Sequence, residues 1–146
     1  MGRPATRKPR IRTKEVTLHM SVAAFLRHAW PEHLLWTHFP AGERRDARTG
    51  AKLKAMGLHP GWGDFIFVLP NGQFAEWELK VVGGELSPVQ IAHRDRLLAL
   101  GCGHAVIRSL DEAEAVGTRW LGKFGLRLRA RTVQRPEAPI MEAVVE

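Results

Sequence analysis

The sequence predicts a single α/β domain, and three stretches carry that prediction. Between Glu15 and Trp30 the apolar residues Leu18, Val22, Phe25, Leu26 and Ala29 recur at helical spacing. From Asp64 to Val82, "DFIFVLPNGQFAEWELKVV" sets two strands around Pro70-Asn71-Gly72, residues that supply turn dihedrals at little cost. From Ser87 to Gly101, "SPVQIAHRDRLLALG" has Ser at the N-cap, Pro in the first turn and Gly after the end, which is the punctuation of a complete helix.

The remaining elements follow in order. Pro31 stops the first helix. "HLLWTHF" (33–39) is short and aromatic and is closed by Pro40 and Gly42, as a strand entering a turn would be. Residues 43–57 are polar, basic and punctuated by Gly, which predicts a loop with a short helix over Ala51 to Met56. After the hairpin and the capped helix, "HAVIRSL" (104–110) reads as a strand. "DEAEAVGTRWLG" (111–122) opens with acids that favour a helix N-terminus. The order of main elements is α-β-β-β-α-β-α, with Trp30, Trp36, Trp77 and Trp120 expected in the core.

A chain of 146 residues with 45% hydrophobic content can bury a sizeable core. No apolar run reaches the roughly 18 residues of a membrane span, and MGRPATRKPRIRTK has no signal-peptide core, so a cytoplasmic location is expected. Cys102 has no second thiol to pair with, and the seven histidines show no zinc spacing, so no structural metal is expected. The charge of +7 is concentrated at the ends: residues 1–14 and 119–135 each hold six basic side chains and no acid. The expected organisation is a basic arm over 1–14, a domain over 15–122 and a basic, partly mobile tail over 123–146. Such arms gain affinity for a polyanion by releasing its counterions, which makes nucleic acid the leading partner; solubilising tails are the plainer alternative.

Side chains alternate faces along a strand, so Glu76, Glu78 and Lys80 share one face of "FAEWELK" while Trp77 and Leu79 take the other. If the hairpin folds back antiparallel, Asp64 at its opening and Glu78 near its close reach the same end of the sheet. Two hard carboxylate oxygens there suit Mg²⁺ or Mn²⁺, and Lys80 adds a cation that can orient a nucleophile or offset charge on a phosphorus centre. The plainer reading is a solvated face on an edge strand.

The ordered set of Gly61-Trp62-Gly63-Asp64, the hairpin, Glu78-Leu79-Lys80, Gly83-Gly84 and Ser87-Pro88-Val89-Gln90 resembles the VRR-NUC branch of the PD-(D/E)xK nuclease superfamily over about residues 15–120. The resemblance implies a restriction-endonuclease-like core, with a mixed central sheet flanked by helices. It also implies a metal-dependent, structure-selective DNA endonuclease of stand-alone phage type, phage- or prophage-encoded and working as a homodimer on branched DNA such as a Holliday junction. Asp64 and Glu78 would be metal ligands, with the main-chain carbonyl of Leu79 a third. Lys80 would be the catalytic lysine, Gln90 its support, and Glu15 would act from the first helix. Gly63 stands where the family usually has Pro, and His19 where it often has Gln; His19 is read as a plain helix-face residue.

Beside that set, Arg44, Arg45, Arg48, Lys52 and Lys54 are candidates for contacting the DNA backbone. Trp62 is a candidate for stacking on a base at a branch point. Glu76 is expected to face solvent and His93 to make a surface contact. A non-catalytic nucleic-acid-binding protein on the same fold is the rival reading, and carboxylates facing DNA speak against it. An RNA-directed or single-strand-specific nuclease is equally compatible with phosphate contacts.

Overall fold

The computed structural model describes the backbone of residues 9–40 and 46–130, and the side chains of all of these except residues 9–13. The elements are α1 (Pro9–Ala29), β1 (Leu35–His38), α2 (Ala47–Ala55), β2 (Phe65–Leu69), β3 (Gln73–Leu79), α3 (Pro88–Ala99), β4 (Gly103–Ile107) and α4 (Leu110–Gly122). The described strands form one mixed sheet in the order β1-β2-β3-β4. The first two pairings are antiparallel, and β3 runs parallel to β4. The parallel pair requires a crossover, which α3 supplies.

The helix boundaries follow local chemistry. Ser87 and Gln90 form a reciprocal capping box at the start of α3, with Pro88 inside the first turn, as the sequence predicts. Ser109 caps α4 and Asp46 caps α2 by accepting from the Thr49 amide. That cap starts α2 at Ala47, four residues before the position predicted from composition. α1 begins at Pro9, so the predicted arm over 1–14 runs into helix at its distal end. The hairpin turn is a short 3₁₀ turn over Pro70–Gly72, with Asn71 at φ 63°, a left-handed conformation that Asn tolerates better than most residues.

The two sheet faces differ. On one, Phe65, Phe67, Leu69, Ala75, Trp77, Leu79 and Ile107 pack against Val22, Phe25, Leu26, Ala29 and Trp30 of α1 and its end, and against Ala113, Val116, Trp120 and Leu121 of α4. Trp77 is at the centre, its ring 4.7 Å from Phe67 and 5.9 Å from Trp30. Truncating such a residue to Ala costs about 3–5 kcal/mol. Trp30, Trp77 and Trp120 are buried as expected, and Trp36 packs part-buried at the margin.

Side chains beyond Gly122 also reach the core. Phe124, Leu126 and Leu128, within the segment expected to be a partly mobile tail, pack against the core. Arg129 closes the C-terminal end of α1: its amide donates to Ala29 O, its Nε to Trp30 O and its Nη2 to Arg27 O. These are the carbonyls that a helix leaves without partners at its end. Residues 1–8 and 131–146, and with them the outer parts of both basic segments, lie outside the described residues.

The other sheet face carries Asp64, Ile66, Glu76, Glu78, His104 and Val106, and α3 lies against it. β3 is an interior strand, so the row of charge is not on an edge. Nor is Glu76 solvent-facing: it is 0% exposed, and Glu78 is 5% exposed.

Candidate active site

The antiparallel ladder runs as far as Phe65 opposite Trp77, and Asp64, the residue just before β2, comes next to Glu78 and Leu79 of β3. The convergence inferred from the hairpin thus comes from the ladder's end together with the hydrogen bond from the Leu79 amide to the Asp64 carboxyl. The Asp64 main-chain carbonyl accepts from the Phe39 amide at 2.7 Å and from His38 Nδ1 at 2.9 Å. Because a carbonyl only accepts, the His38 proton at this contact is on Nδ1. The Asp64 carboxyl is fixed in turn: Oδ2 accepts from the Leu79 amide at 2.7 Å.

Glu78 is held from the helix side. Gln90 Nε2 donates to Glu78 Oε1 at 2.7 Å, and Lys80 Nζ lies 3.6 Å from the same oxygen. The α3 capping box orients the Gln90 side chain, since its Oε1 accepts from the Ser87 amide. The Asp64, Glu78, Lys80 and Gln90 singled out in the sequence thus come together, with Leu79 joined to Asp64 through its N–H.

Glu15 is not joined to them by a hydrogen bond or ion pair among the described residues. It is exposed on α1, one turn before His19. His19, on α1, reaches this end of the sheet, its ring 4.3 Å from His38 and 4.6 Å from Phe65. Arg48, Lys52 and Lys54 lie on α2, all exposed, on a helix with no buried residue. Arg44 and Arg45 lie outside the described residues.

The charge balance follows from burial. Burial raises the proton affinity of Asp64, opposed by the Leu79 N–H and the nearby His19, His38 and Lys80. Burial, and next the charge of Asp64, push Glu78 up to about 8, against the pull of Lys80. Two desolvated carboxyls side by side cannot both ionise cheaply without a cation. Lys80 offsets part of that charge, and a divalent ion bound here would offset more; the groups that could hold it are the Asp64 and Glu78 carboxylates, with the Leu79 carbonyl. Among the described residues no group of three or more His, Cys, Asp or Glu side chains is set to hold a metal. An ion bound here would keep several waters, as Mg²⁺ commonly does.

Glu76 and His93 form a feature that composition did not reveal. His93 Nε2 comes within 2.9 Å of Glu76 Oε1, and His104 Nε2 within 3.8 Å. The closer contact lacks hydrogen-bond alignment, so both Glu76 oxygens and His93 Nε2 are buried without a well-directed partner. Burial raises the proton affinity of Glu76, and it lowers that of His104 to about 4, helped by the charges of Arg94 and His93. Gly63 makes room for the acid: a Cβ there would stand 3.1 Å from Glu76 Cδ and 2.8 Å from Trp77 O. The i, i+3 spacing of Gln90 and His93 was the available signal, since it puts both on the side of α3 that meets the acid row.

Arg108 was also not singled out. Parallel pairing of Leu79 with Ile107 brings Arg108 beside Lys80, and its Nη2 donates to Gly84 O at 3.0 Å. The Gly83-Gly84 turn is thereby tied down next to the lysine.

No family model and no curated protein matches the chain. Among solved structures the chain is similar to one titled "VRR_NUC domain", over 70% of this chain and 92% of that one, at 17% sequence identity and a TM-score of 0.47. No helix among the described residues is long and apolar enough to cross a membrane.

Proposed function

We propose that the chain is a divalent-metal-dependent endodeoxyribonuclease of the VRR-NUC type that cuts branched DNA, four-way junctions included, as a homodimer. The observation that carries this reading is the meeting of Asp64, at the entry to β2, with Glu78 on the facing strand β3, with Lys80 3.6 Å and Gln90 2.7 Å from the Glu78 carboxyl. A bound Mg²⁺ or Mn²⁺ would supply Lewis acidity toward the phosphate and make water more acidic. The protein's own residues supply the rest. Gln90 fixes one Glu78 oxygen and the Leu79 amide fixes one Asp64 oxygen, so each carboxylate keeps its second oxygen for the ion. Lys80 stands beside them to align the attacking water and offset charge gathering on the phosphorus centre. Arg48, Lys52 and Lys54, with Arg44 and Arg45, would bind flanking phosphates without regard to sequence.

The test is incubation of the protein with labelled four-way junction, flap and linear duplex in Mg²⁺, Mn²⁺ or EDTA, alongside Glu78→Ala and Lys80→Ala. Metal-dependent cutting of the branched probes, lost in both variants, is the expected result. Binding by wild type and variants alike with no cutting anywhere would replace the enzyme with a binding protein.

A further inference from the structure

We propose that the groove between the Gly61-Trp62-Gly63 loop and α3 receives an unpaired nucleobase of the substrate strand, next to the phosphate that is cut. The inference rests on the nuclease reading and names the substrate feature that the site selects.

The groove has a volume of about 660 Å³, and its walls include Trp62, Val89 and Leu100, with His59, His93 and Arg96. Among the described residues no carboxylate lines it. An aromatic plate, apolar walls and basic groups with no acid are the chemistry of a base on its phosphate chain, because every base has a π-face and every nucleotide an anion. The apolar wall is open to water, with Leu100 79% and Val89 48% exposed.

Position ties the groove to the acids. Trp62 precedes Asp64 by two residues, and His93, one turn beyond Gln90, lies both in the groove wall and against Glu76. The plate is held in place: Phe39 and Phe74 meet the Trp62 ring edge-on at 5.8 and 6.1 Å, and the His93 ring leans on it at 4.5 Å. Gly61 sets the loop against the helix, since a Cβ there would stand 2.8 Å from Val89 O. A base paired inside a duplex has both faces covered by its neighbours, whereas one released at a branch point or flap can enter.

The test uses the full chain in EDTA, so that nothing is cut, with two DNA probes carrying 2-aminopurine. One has it unpaired at a flap junction and the other paired within a linear duplex. Wild type is expected to quench the unpaired probe and to bind the flap roughly tenfold more tightly than the duplex, the scale of one stacked base. Trp62→Ala is expected to lose the quench and the preference, with duplex affinity kept within about twofold on the same scale. Leu100→Glu, a change at an exposed position that spares the core, is expected to lose the preference likewise.

Equal affinity of wild type for both probes, or a preference that survives both substitutions, would overturn the inference. So would a Leu100→Glu variant whose only effect is to separate two copies of the chain, since the groove would then be an interface. Metal-dependent cutting without any dependence on the unpaired base removes the groove and leaves the nuclease. A flap preference carried by Trp62 with no cutting in any metal removes the nuclease and leaves the groove.

Discussion

Gln90 Nε2 donates to Glu78 Oε1 at 2.7 Å, while the oxygen of the same side chain accepts from the Ser87 amide at 2.9 Å. One residue therefore caps a helix and orients an acid. Ser87→Ala removes only part of the cap and should cost about 1 kcal/mol of stability with little change in cleavage. Gln90→Ala should cost about 1–2 kcal/mol and reduce cleavage as well. Denaturant melts paired with junction-cutting rates separate the two effects, and equal cutting by both variants would deny Gln90 its part at the site.

The pH dependence of stability follows from Glu78 and His104. Glu78 holds its proton up to about pH 8 in the folded chain against 4.5 unfolded, so its contribution is complete below the lower value and is lost as pH rises through the upper. Asp64 and Glu76 are raised in the same direction. His104 is lowered from 6.5 to about 4, so its contribution is present above 6.5 and is lost as pH falls toward 4. Without metal, the melting temperature should fall between pH 6.5 and 8, and Glu78→Gln should remove part of that fall. A flat profile in wild type would contradict the burial of the acid pair.

Addition of Mn²⁺ at pH 8 should raise the melting temperature of wild type and leave Asp64→Asn and Glu78→Ala unmoved. Ligand binding to the folded state alone stabilises by mass action, so a saturating shift also yields the affinity. An equal shift in all three proteins would locate the ion elsewhere.

Arg129→Ala should destabilise the domain by about 2 kcal/mol, because it leaves Trp30 O and Arg27 O without their donor. Glu32→Ala, which removes only the exposed ion pair with Arg129 Nη1 at 3.0 Å, should cost about 0–1 kcal/mol. Comparable losses would assign the effect to the ion pair.

Gly63→Ala should cost about 1–3 kcal/mol, since the new methyl meets a main-chain carbonyl and the buried acid together. Pairing it with Glu76→Ala should recover part of the loss, and strict additivity of the two changes would exclude that contact as the cause.

Where local rules decide conformation, the sequence was legible. Pro70-Asn71-Gly72 marked the hairpin, Ser87 and Pro88 marked the start of α3, and strand alternation put Trp77 and Leu79 in the core. The hairpin also implied that Asp64 and Glu78 converge, because antiparallel pairing is enough to bring its two open arms together. Glu76 was misjudged because alternation says which face a residue takes and not what covers that face; α3 covers it, through contacts made across the sheet. Arg108 and His104 were passed over for a related reason, since only the parallel pairing of β4 with β3 puts them beside Lys80 and Glu76. The anchoring of Arg129 depends on contacts about a hundred residues apart along the chain, which no local pattern encodes.

The crossover that makes β3 and β4 parallel is the same helix that carries Gln90 and His93. Release of α3 would therefore free the Glu78 and Glu76 carboxyls from Gln90 and His93 while leaving the β2–β3 ladder its own pairing. Hydrogen exchange at the Gln90 amide, which donates to Ser87 Oγ, should report whether α3 is seated on the sheet.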